Sequence, residues 1–469
     1  MSARLRGPDS AMSDLRMPAT EGPVLGYKLN LSEVIGAMSY ALDLTEGQPA
    51  GHSLRSCWIA MLIGRHIGLD AAALSSLYYC VLLKDAGCSS NAARLWALYG
   101  GDERVVKHAY KTVNSQRLIA LARFVLEHAG PDETLRRRIE RILTLGRRGQ
   151  ELATDLVQTR CERGADIVRR LGFGQDVADG VYCLDEHWNG KGRPVGLAGE
   201  AIPLNARISL LAQVADVFHT VAGPEAARRE VSSRAGTWFD PRLVRAFRDM
   251  AGDPALWQGL ADEALDARVR ALEPEEAVLL IDADGLDAAT EAFADVIDAK
   301  SSFTSGHSRR VAEYATEIAY RFGIAPDRRR WLRRVGLLHD IGKLGVSNGI
   351  LDKPGKLDEG DWQAIRRHPA LSEEILGRVG AFRDMAPVAG AHHERLDGKG
   401  YPRGLAGAEI SLETRIITAA DVFDALTAER PYRGAMRAAQ ALAIMERDRD
   451  RGVDGDCLGI LAEMAQETS

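Results

Sequence analysis

Seven side chains of the metal-ligating type fall at a few places in the second half of the chain. Imidazole and carboxylate together suit Fe, Mn, Ni, Co or Zn. A catalytic zinc ion usually takes three protein ligands, so seven are too many for one such ion. They fit two metal ions lying side by side, an arrangement that favours in-line attack on phosphorus. The seven residues are His307, His339, Asp340, His368, His392, His393 and Asp421.

The adjacent pair His392 and His393 is the most informative part of this set. Neighbouring residues of a helix point about 100° apart, so the two rings are able to serve two neighbouring ions. A lone buried histidine is more often a hydrogen-bonded core residue than a metal ligand, and this alternative stays open for each residue taken singly. The seven together favour a metal site.

The segments that must position these residues follow helical periodicity. Apolar residues recur at helical spacing, as in Leu332, Val335 and Leu338, and the same spacing puts His339 on the inner face. Long segments of strict alternation, which would indicate strands, do not occur. The sequence therefore predicts an all-α fold.

Composition limits the class of protein. The chain has 469 residues, of which 46% are hydrophobic and 27% charged, with a formal net charge of -6. This balance argues against wholesale disorder, and an acidic chain has no broad attraction for DNA. The apolar runs are too short to span a bilayer, and charged residues interrupt the N-terminus where a secretory signal would lie. We expect a cytoplasmic protein without a DNA or membrane partner. The six cysteines form no C-x-x-C pair and are expected to be reduced.

The two halves of the chain resemble each other. Gly51-His52-Ser53 resembles Gly306-His307-Ser308, and Lys84-Asp85 stands where the second half has His339-Asp340. Both pairs share an offset of 255 residues. Repetition at a fixed offset indicates an internal duplication.

A later match has a smaller offset and shows where the first copy is longer. Residues 190–194 resemble residues 398–402 at an offset of 208, so the first copy carries 47 extra residues between Asp85 and Arg160. We predict a mobile tail at 1–26, a first copy at 27–250, a linker at 251–284 and a second copy at 285–469.

The second copy resembles an HD-GYP domain, a branch of the HD phosphohydrolase superfamily associated with cyclic di-GMP hydrolysis. The match is collinear over about 140 residues. The resemblance implies two tandem HD-type helical bundles. The motifs that carry it are His307-Ser308-x-Arg310, His339-Asp340-Ile341-Gly342-Lys343, His368-Pro369, His392-His393-Glu394, Gly400-Tyr401-Pro402, Asp421-x-Phe423-Asp424 and Arg430-Pro431-Tyr432-Arg433.

The resemblance also implies roles for these residues. The seven residues named first would ligate two divalent ions, Fe or Mn first and Ni, Co or Zn as further possibilities, with Asp340 bridging them. Asp340 and Lys343 would be catalytic, because a fixed cation stabilises charge on phosphate oxygens. Substrate contacts would come from Lys343, from Arg430 and Arg433, and from the loop Gly400-Tyr401-Pro402, which on composition alone reads as a tight turn.

Two positions of the second copy depart from the family pattern. Some members bind a third metal with a glutamate four residues before the first histidine, but here that position is Phe303. We therefore expect two metal ions and not three. The dipeptide Ser347-Asn348 stands where Pro-Asp is common, and the sequence attaches no mechanistic consequence to it.

The first copy lacks most of the ligand set. His52 and Asp85 remain, but Asp216 matches Asp421 only if three residues are inserted, and without a gap Gln213 falls there. Positive charge in the place of metal ions should exclude a binuclear centre. We predict a degenerate copy that serves regulation, dimerisation or ligand sensing, or one that only buries a face of the second copy. The residues that replace ligands and Lys343 are Lys84, Cys88, Arg160, Leu184 and Asp185.

The function predicted from the sequence is hydrolysis of cyclic di-GMP to the linear dinucleotide, with GMP as a further product left open. Three alternatives remain: a phosphohydrolase acting on another nucleotide, a non-catalytic cyclic dinucleotide receptor, and a regulator acting through the first copy. The predicted partners are a cyclic dinucleotide substrate and, through the N-terminal copy, a second copy of the chain or another protein.

Overall fold

Helices make up most of the chain, which confirms the predicted all-α class. The computed structural model describes residues 29–275, 278–301, 303–429 and 434–467. The predicted tail at 1–26 therefore lies outside the described residues, as do Arg430 and Arg433. No helix in the described ranges has the length and apolar character needed to cross a membrane.

The first half and the segment that follows it form a run of helices. α7 is the longest, and α9 is interrupted by non-helical backbone at Ala222 and Gly223, just before Pro224. These helices are α1 (Leu31–Thr45), α2 (His52–His66), α3 (Ala71–Leu83), α4 (Ala92–Tyr99), α5 (Glu103–Thr112), α6 (Leu118–His128), α7 (Leu135–Arg170), α8 (Gln175–Tyr182), α9 (Leu204–Ser233), α10 (Pro241–Ala251), α11 (Pro254–Leu260) and α12 (Leu265–Arg270).

The second half repeats this helical character with shorter elements. A 3-10 turn at Ile341–Gly345 follows the helix that leads into His339. The helices are α13 (Ala283–Asp298), α14 (His307–Arg321), α15 (Pro326–Leu338), α16 (Asn348–Leu351), α17 (Glu359–Ile365), α18 (His368–Gly377), α19 (Ala386–Gly390), α20 (Leu412–Thr427), α21 (Ala438–Met445) and α22 (Gly455–Glu467).

One small sheet joins the start of the described chain to the segment before α13. Strands β1 (Leu29–Asn30) and β2 (Leu280–Ile281) pair antiparallel, with Leu29 opposite Ile281. The pairing continues into α1, where the Leu31 amide donates to the Leu279 carbonyl at 2.8 Å. The ladder therefore fixes where α1 begins.

The predicted inner face of the second half is confirmed. Val311 and Ile318 of α14, Val335 of α15 and Ile416 of α20 are fully buried in one cluster where these three helices pack together. Burying an aliphatic side chain of this size contributes roughly 1.5–3 kcal/mol. His339 follows the last apolar residue of α15 and is buried as well. The apolar packing of α15 thus places the imidazole of His339 in the interior.

One hydrophobic cluster extends through both halves. It includes Leu42 of α1, Leu82 of α3, Leu344 of the 3-10 turn and Leu376 of α18. α1 packs directly against the 3-10 turn and α18 of the second half. The division into units at 27–250, 251–284 and 285–469 stays a prediction. All six cysteines are buried free thiols.

A close backbone approach positions the start of α18. A Cβ atom added at Gly342 would lie 2.0 Å from the His368 carbonyl oxygen, far inside van der Waals contact. The first half repeats this approach, because a Cβ at Gly87 would lie 1.9 Å from the Arg160 carbonyl oxygen. Glycine is thus required sterically where the 3-10 turn meets the helix that begins with His368.

We expect Gly342→Ala to destabilise the protein by roughly 1–3 kcal/mol, since the added methyl group must push α18 away from the 3-10 turn. Thermal unfolding of the full chain measures the change. Gly355→Ala is the matched control, because a Cβ there meets nothing within 4 Å. Equal unfolding temperatures for both variants would contradict the close packing of turn and helix.

Candidate metal centre

The fold brings all seven predicted ligand residues together from five different elements. His307 begins α14, His339 and Asp340 follow α15, and His368 begins α18. His392 and His393 follow α19, and Asp421 lies within α20. Six of the seven side chains are buried, whereas that of His393 is 24% exposed and marks the open side of the centre.

The carboxylate of Asp340 lies at the middle of the cluster. Its Oδ2 is 3.3 Å from His307 Nε2 and 3.5 Å from His339 Nε2. Its Oδ1 is 3.2 Å from His368 Nε2 and 3.5 Å from His392 Nε2. The two oxygens therefore face two different histidine pairs, which is the arrangement of a bridging carboxylate.

The ligand atoms fall into two groups on either side of Asp340. His307, His339 and Asp421 form one group and His368, His392 and His393 the other, each with ligand atoms within 4.8 Å of one another. Asp421 Oδ1 is 3.4 Å from His307 Nε2. Three ligands on each side and a shared carboxylate make up a binuclear set of donors.

Backbone carbonyls orient three of the histidines. The Nδ1 atoms of His339, His368 and His392 lie 2.8, 2.7 and 2.6 Å from the carbonyl oxygens of Gly336, Ile365 and Ala389. A carbonyl only accepts, so each Nδ1 carries the proton and each Nε2 points a lone pair into the centre. These are the ring orientations and tautomers that metal ligation requires.

Several buried polar atoms of the centre lack a partner in the described part of the chain. Nε2 of His307, Nε2 of His339 and Oδ1 of Asp340 have no hydrogen bond. The Nε2 atoms of His368 and His392 lie 3.2 Å apart, although the tautomers assigned above give both a lone pair. Buried acceptors that face one another are costly unless a cation lies between them. The donor set therefore fits divalent metal ions.

Electrostatics favour the ligating protonation states of Asp340 and His368. Burial would raise the pKa of Asp340, but nearby Lys343 and His339 hold it well below its usual range. Burial lowers the pKa of His368 to about 4, which keeps that ring neutral. Burial opposes a charge on His307, yet the neighbouring carboxylates of Asp340 and Asp424 raise its pKa to about 9. The carboxylates around His307 thus stabilise a positive charge at this position.

Of the predicted catalytic and substrate-binding residues, Asp340 lies at the middle of the cluster, and Lys343 and Tyr401 lie beside it. Lys343 contacts the Asp340 carboxylate through Nζ, and its side chain is 18% exposed. The Tyr401 ring packs on that of His393, with ring centroids 4.9 Å apart. Gly400 and Pro402 flank Tyr401 in the same loop. Arg430 and Arg433 lie outside the described residues.

Two carboxylates to which the sequence analysis assigned no role, Asp424 and Glu394, support the centre. Asp424 Oδ2 lies 2.6 Å from Nδ1 of His307, so a carboxylate orients this fourth ring. Glu394 accepts from the amides of Arg403 at 2.6 Å and Leu405 at 3.0 Å and holds the loop of Tyr401. The signal for Asp424 was available, because its spacing of three residues from Asp421 puts both on one helix face.

The first half repeats the orienting contact but not the ligand set. His52 Nδ1 lies 2.7 Å from Asp216 Oδ2, as His307 does from Asp424. Arg55 pairs with Asp216 as Arg310 pairs with Asp424. Asp216 is thus the counterpart of Asp424, so the ungapped match is the right one and Gln213 stands at the position of Asp421.

Cations of the protein surround the acidic groups that remain in the first half. Glu46, Asp85 and Cys88 form a buried group with ligand-type atoms within 4.8 Å of one another. Lys107 and Lys111 lie 3.0 and 3.1 Å from the two Glu46 oxygens.

Two further cations, Lys84 and Arg160, lie near Glu46, Asp85 and Cys88, and we call the whole group the charge cluster. Lys84 contacts Asp85, and Arg160 contacts Asp185. Burial also raises the pKa of the Cys88 thiol well above its usual value, so it stays protonated. Ammonium and guanidinium groups therefore pair with the acidic oxygens, and this pairing disfavours the binding of a divalent ion.

We expect Asp424→Asn to lower the metal affinity of the protein by roughly 10- to 100-fold, because His307 loses the carboxylate that orients its ring. Competition with a chelator measures the affinity. Asp216→Asn is the matched control, since it removes the equivalent carboxylate of the first half. Equal losses in both variants, or none in Asp424→Asn, would contradict this assignment.

Comparison with known proteins agrees with the site. A family model described as HD domain matches residues 140–243 and 291–457, one segment in each half. The 3'3'-cGAMP-specific phosphodiesterase 3 of Vibrio cholerae serotype O1 is 49% identical over 92% of this chain and 94% of its own. A crystal structure titled as a cyclic GMP-AMP-specific phosphodiesterase of V. cholerae, V-cGAP3, matches with a TM-score of 0.66 and 44% identity, over 94% of this chain and 99% of its own.

A further relative matches a smaller part of the chain. The cyclic di-GMP phosphodiesterase response regulator RpfG of Xanthomonas campestris is 39% identical over 36% of this chain and 45% of its own. Together with the site geometry, these similarities place the chain: it belongs to the HD domain family and is a phosphodiesterase of the HD-GYP type.

Proposed function

We propose that the protein is a metal-dependent phosphodiesterase that hydrolyses 3'3'-cGAMP. The observation that carries the reaction type is the buried set of unpartnered imidazole and carboxylate atoms around Asp340. The V. cholerae phosphodiesterase named for this substrate supports the choice of substrate, because the similarity extends over 92% of this chain. The alternative kept open in the sequence analysis, another nucleotide, is thus favoured over cyclic di-GMP.

The ligand residues would divide between two ions. His307, His339 and Asp421 would hold one, and the cluster of His368, His392 and His393 the other, with Asp340 shared. A pair of divalent ions in such a site supplies an activated hydroxide and neutralises charge on the phosphate. Fe or Mn are the ions we propose first, since the donors are imidazoles and carboxylates without thiolate.

Lys343 would stabilise charge on the scissile phosphate. Its ammonium group contacts Asp340, which fixes it beside the two ligand groups. Its partial exposure leaves it accessible to a phosphate entering from the open side. A preorganised cation of this kind acts where negative charge develops during phosphoryl transfer.

The ring of Tyr401 would stack on one base of the substrate. Its ring lies next to His393 at the open side of the centre, and the Arg366 guanidinium lies 5.7 Å from the Tyr401 ring centroid. Aromatic faces and guanidinium planes both stack on nucleobases. Gly400 and Pro402 would set the turn that presents Tyr401.

Cyclic di-GMP is the second candidate substrate. Its support is the similarity to RpfG, which is named for that substrate and matches 36% of the chain at 39% identity. Both dinucleotides present two phosphodiesters and at least one guanine, so the metal ligands and Lys343 do not distinguish them.

The metal-loaded full chain should hydrolyse 3'3'-cGAMP with a kcat/KM at least about tenfold above that for cyclic di-GMP, a difference that a few contacts to one base suffice to give. Chromatography of parallel reactions after anaerobic loading with Mn²⁺ or Fe²⁺ measures both rates. Asp340→Ala should abolish both, because it removes the shared carboxylate.

Faster hydrolysis of cyclic di-GMP would overturn the substrate assignment and restore the second candidate. Binding of either dinucleotide without turnover in metal-loaded protein would overturn the enzymatic proposal in favour of a receptor.

A further inference from the structure

Glu103 is a fully buried carboxylate of the first half whose side-chain partners belong to the second half. Its Oε1 lies 2.8 Å from the ammonium nitrogen of Lys300, which is itself buried. Its Oε2 accepts from the Ser347 hydroxyl at 2.9 Å. The backbone amide of Asn348 donates to Oε1 at 3.2 Å and to Oε2 at 3.1 Å.

These partners flank the metal centre in the sequence. Ser347 and Asn348 follow Asp340 and Lys343 through the 3-10 turn, and Lys300 precedes His307. The Asn348 side chain donates to the Lys300 carbonyl at 2.7 Å and closes the connection. Glu103 therefore connects the segment that precedes His307 with the segment that follows Asp340.

Other residues of the first half contact the same place. The Arg104 guanidinium donates to the Gly345 carbonyl at the end of the 3-10 turn. The Trp96 ring lies against Gly349, where an added Cβ would be 3.0 Å from Trp96 Nε1. Trp96, Glu103 and Arg104 of the first half thus hold residues 341–352, which we call the catalytic turn.

Buried ion pairs fix α5 at both of its ends. Glu103 is its first residue, and Lys107 and Lys111 follow at helical spacing. Lys107 donates to the Cys88 carbonyl at 2.9 Å, and both lysines pair with Glu46. α5 is therefore a short rigid connection between the charge cluster of the first half and the catalytic turn of the second.

We propose that Glu103 is a positioning residue for phosphodiester hydrolysis, holding Ser347 and Asn348 against the first half and thereby fixing the catalytic turn that carries Lys343. This inference rests on the phosphodiesterase activity proposed above. It does not depend on which cyclic dinucleotide is the substrate.

The proposal accounts for the unusual dipeptide Ser347-Asn348. A proline at 347 would have no hydroxyl to donate to Glu103. An aspartate at 348 would bring a carboxylate beside Asp352, whose Oδ2 now accepts from the Asn348 amide group at 2.7 Å. Ser347 therefore supplies the side-chain hydroxyl that the buried carboxylate of Glu103 accepts from. The side chain of Asn348 instead joins Asp352 to the Lys300 carbonyl.

Two double variants separate positioning from stability. Truncating Glu103 alone would leave Lys300 buried and unpaired, which by itself destabilises a protein. Lys300→Met removes that charge, and Glu103 is then changed to Gln or to Leu in the same background. Gln keeps an oxygen that accepts from Ser347 and Asn348, whereas Leu keeps none.

We expect the Gln double variant to retain kcat within about threefold and the Leu double variant to lose roughly tenfold or more, since small displacements of a catalytic group are costly. The metal content of the two full-length proteins should match, and both should be folded at the assay temperature. Hydrogen exchange should be faster at 341–352 in the Leu variant only. Glu127→Gln, on the exposed face of α6, is the control and should resemble the unchanged protein.

Equal kcat and equal exchange at 341–352 in two folded double variants would overturn the proposal, because the contact would then only add stability. If the Leu variant does not fold, Ser347→Ala tests the same contact, and unchanged kcat and exchange there would also overturn it. Rates are measured with both dinucleotides and with bis(p-nitrophenyl) phosphate. Failure of the cyclic dinucleotide proposal is thus distinguished from failure of the positioning role, which the exchange data address independently.

Discussion

The structure depends on one electrostatic constraint, the burial of an ionised carboxylate among imidazole lone pairs. Asp340 is almost completely buried, and its oxygens face four histidine nitrogens. Such a group is unfavourable without positive charge nearby. Lys343 supplies one charge, and the remaining lone pairs define places for cations. The helices of the second half are arranged so that five elements meet at this carboxylate.

The first half shows a different solution to the same constraint. Its scaffold retains the pair of His52 and Asp216 and the glycine at position 87, so the backbone repeats the geometry around the centre. Lysine side chains supply the positive charge, and Lys84, Lys107 and Lys111 form ion pairs with Glu46 and Asp85. A charge cluster built from side chains needs no ion and is permanent, which suits a structural or regulatory unit.

Much of the candidate site was predictable because short motifs encode it. The His-Asp pair, the adjacent histidines and the Gly-Tyr-Pro loop are local patterns, and helical periodicity placed His339 on an inner face. The role of Asp424 was missed because it acts on a residue far away in the sequence. The preferred substrate was not predictable from these motifs, since they contact groups that both dinucleotides share.

The contact between Glu103 and Ser347 lies beyond sequence reasoning for a physical reason. The two residues are 244 positions apart, and they lie in different halves of the chain. The predicted duplication indicates what the two halves share, but it does not indicate how one half packs on the other. The departure from the family pattern at Ser347-Asn348 was visible in the sequence, but its structural role follows only from the contact with Glu103.

The most direct test of this account is anomalous diffraction from crystals of the full chain grown with Mn²⁺. The account predicts two peaks, one among His307, His339 and Asp421 and one among His368, His392 and His393, with Asp340 between them. It predicts none at the charge cluster of the first half. A third peak near Phe303, a peak beside Glu46 and Asp85, or no peak in the second half would contradict it.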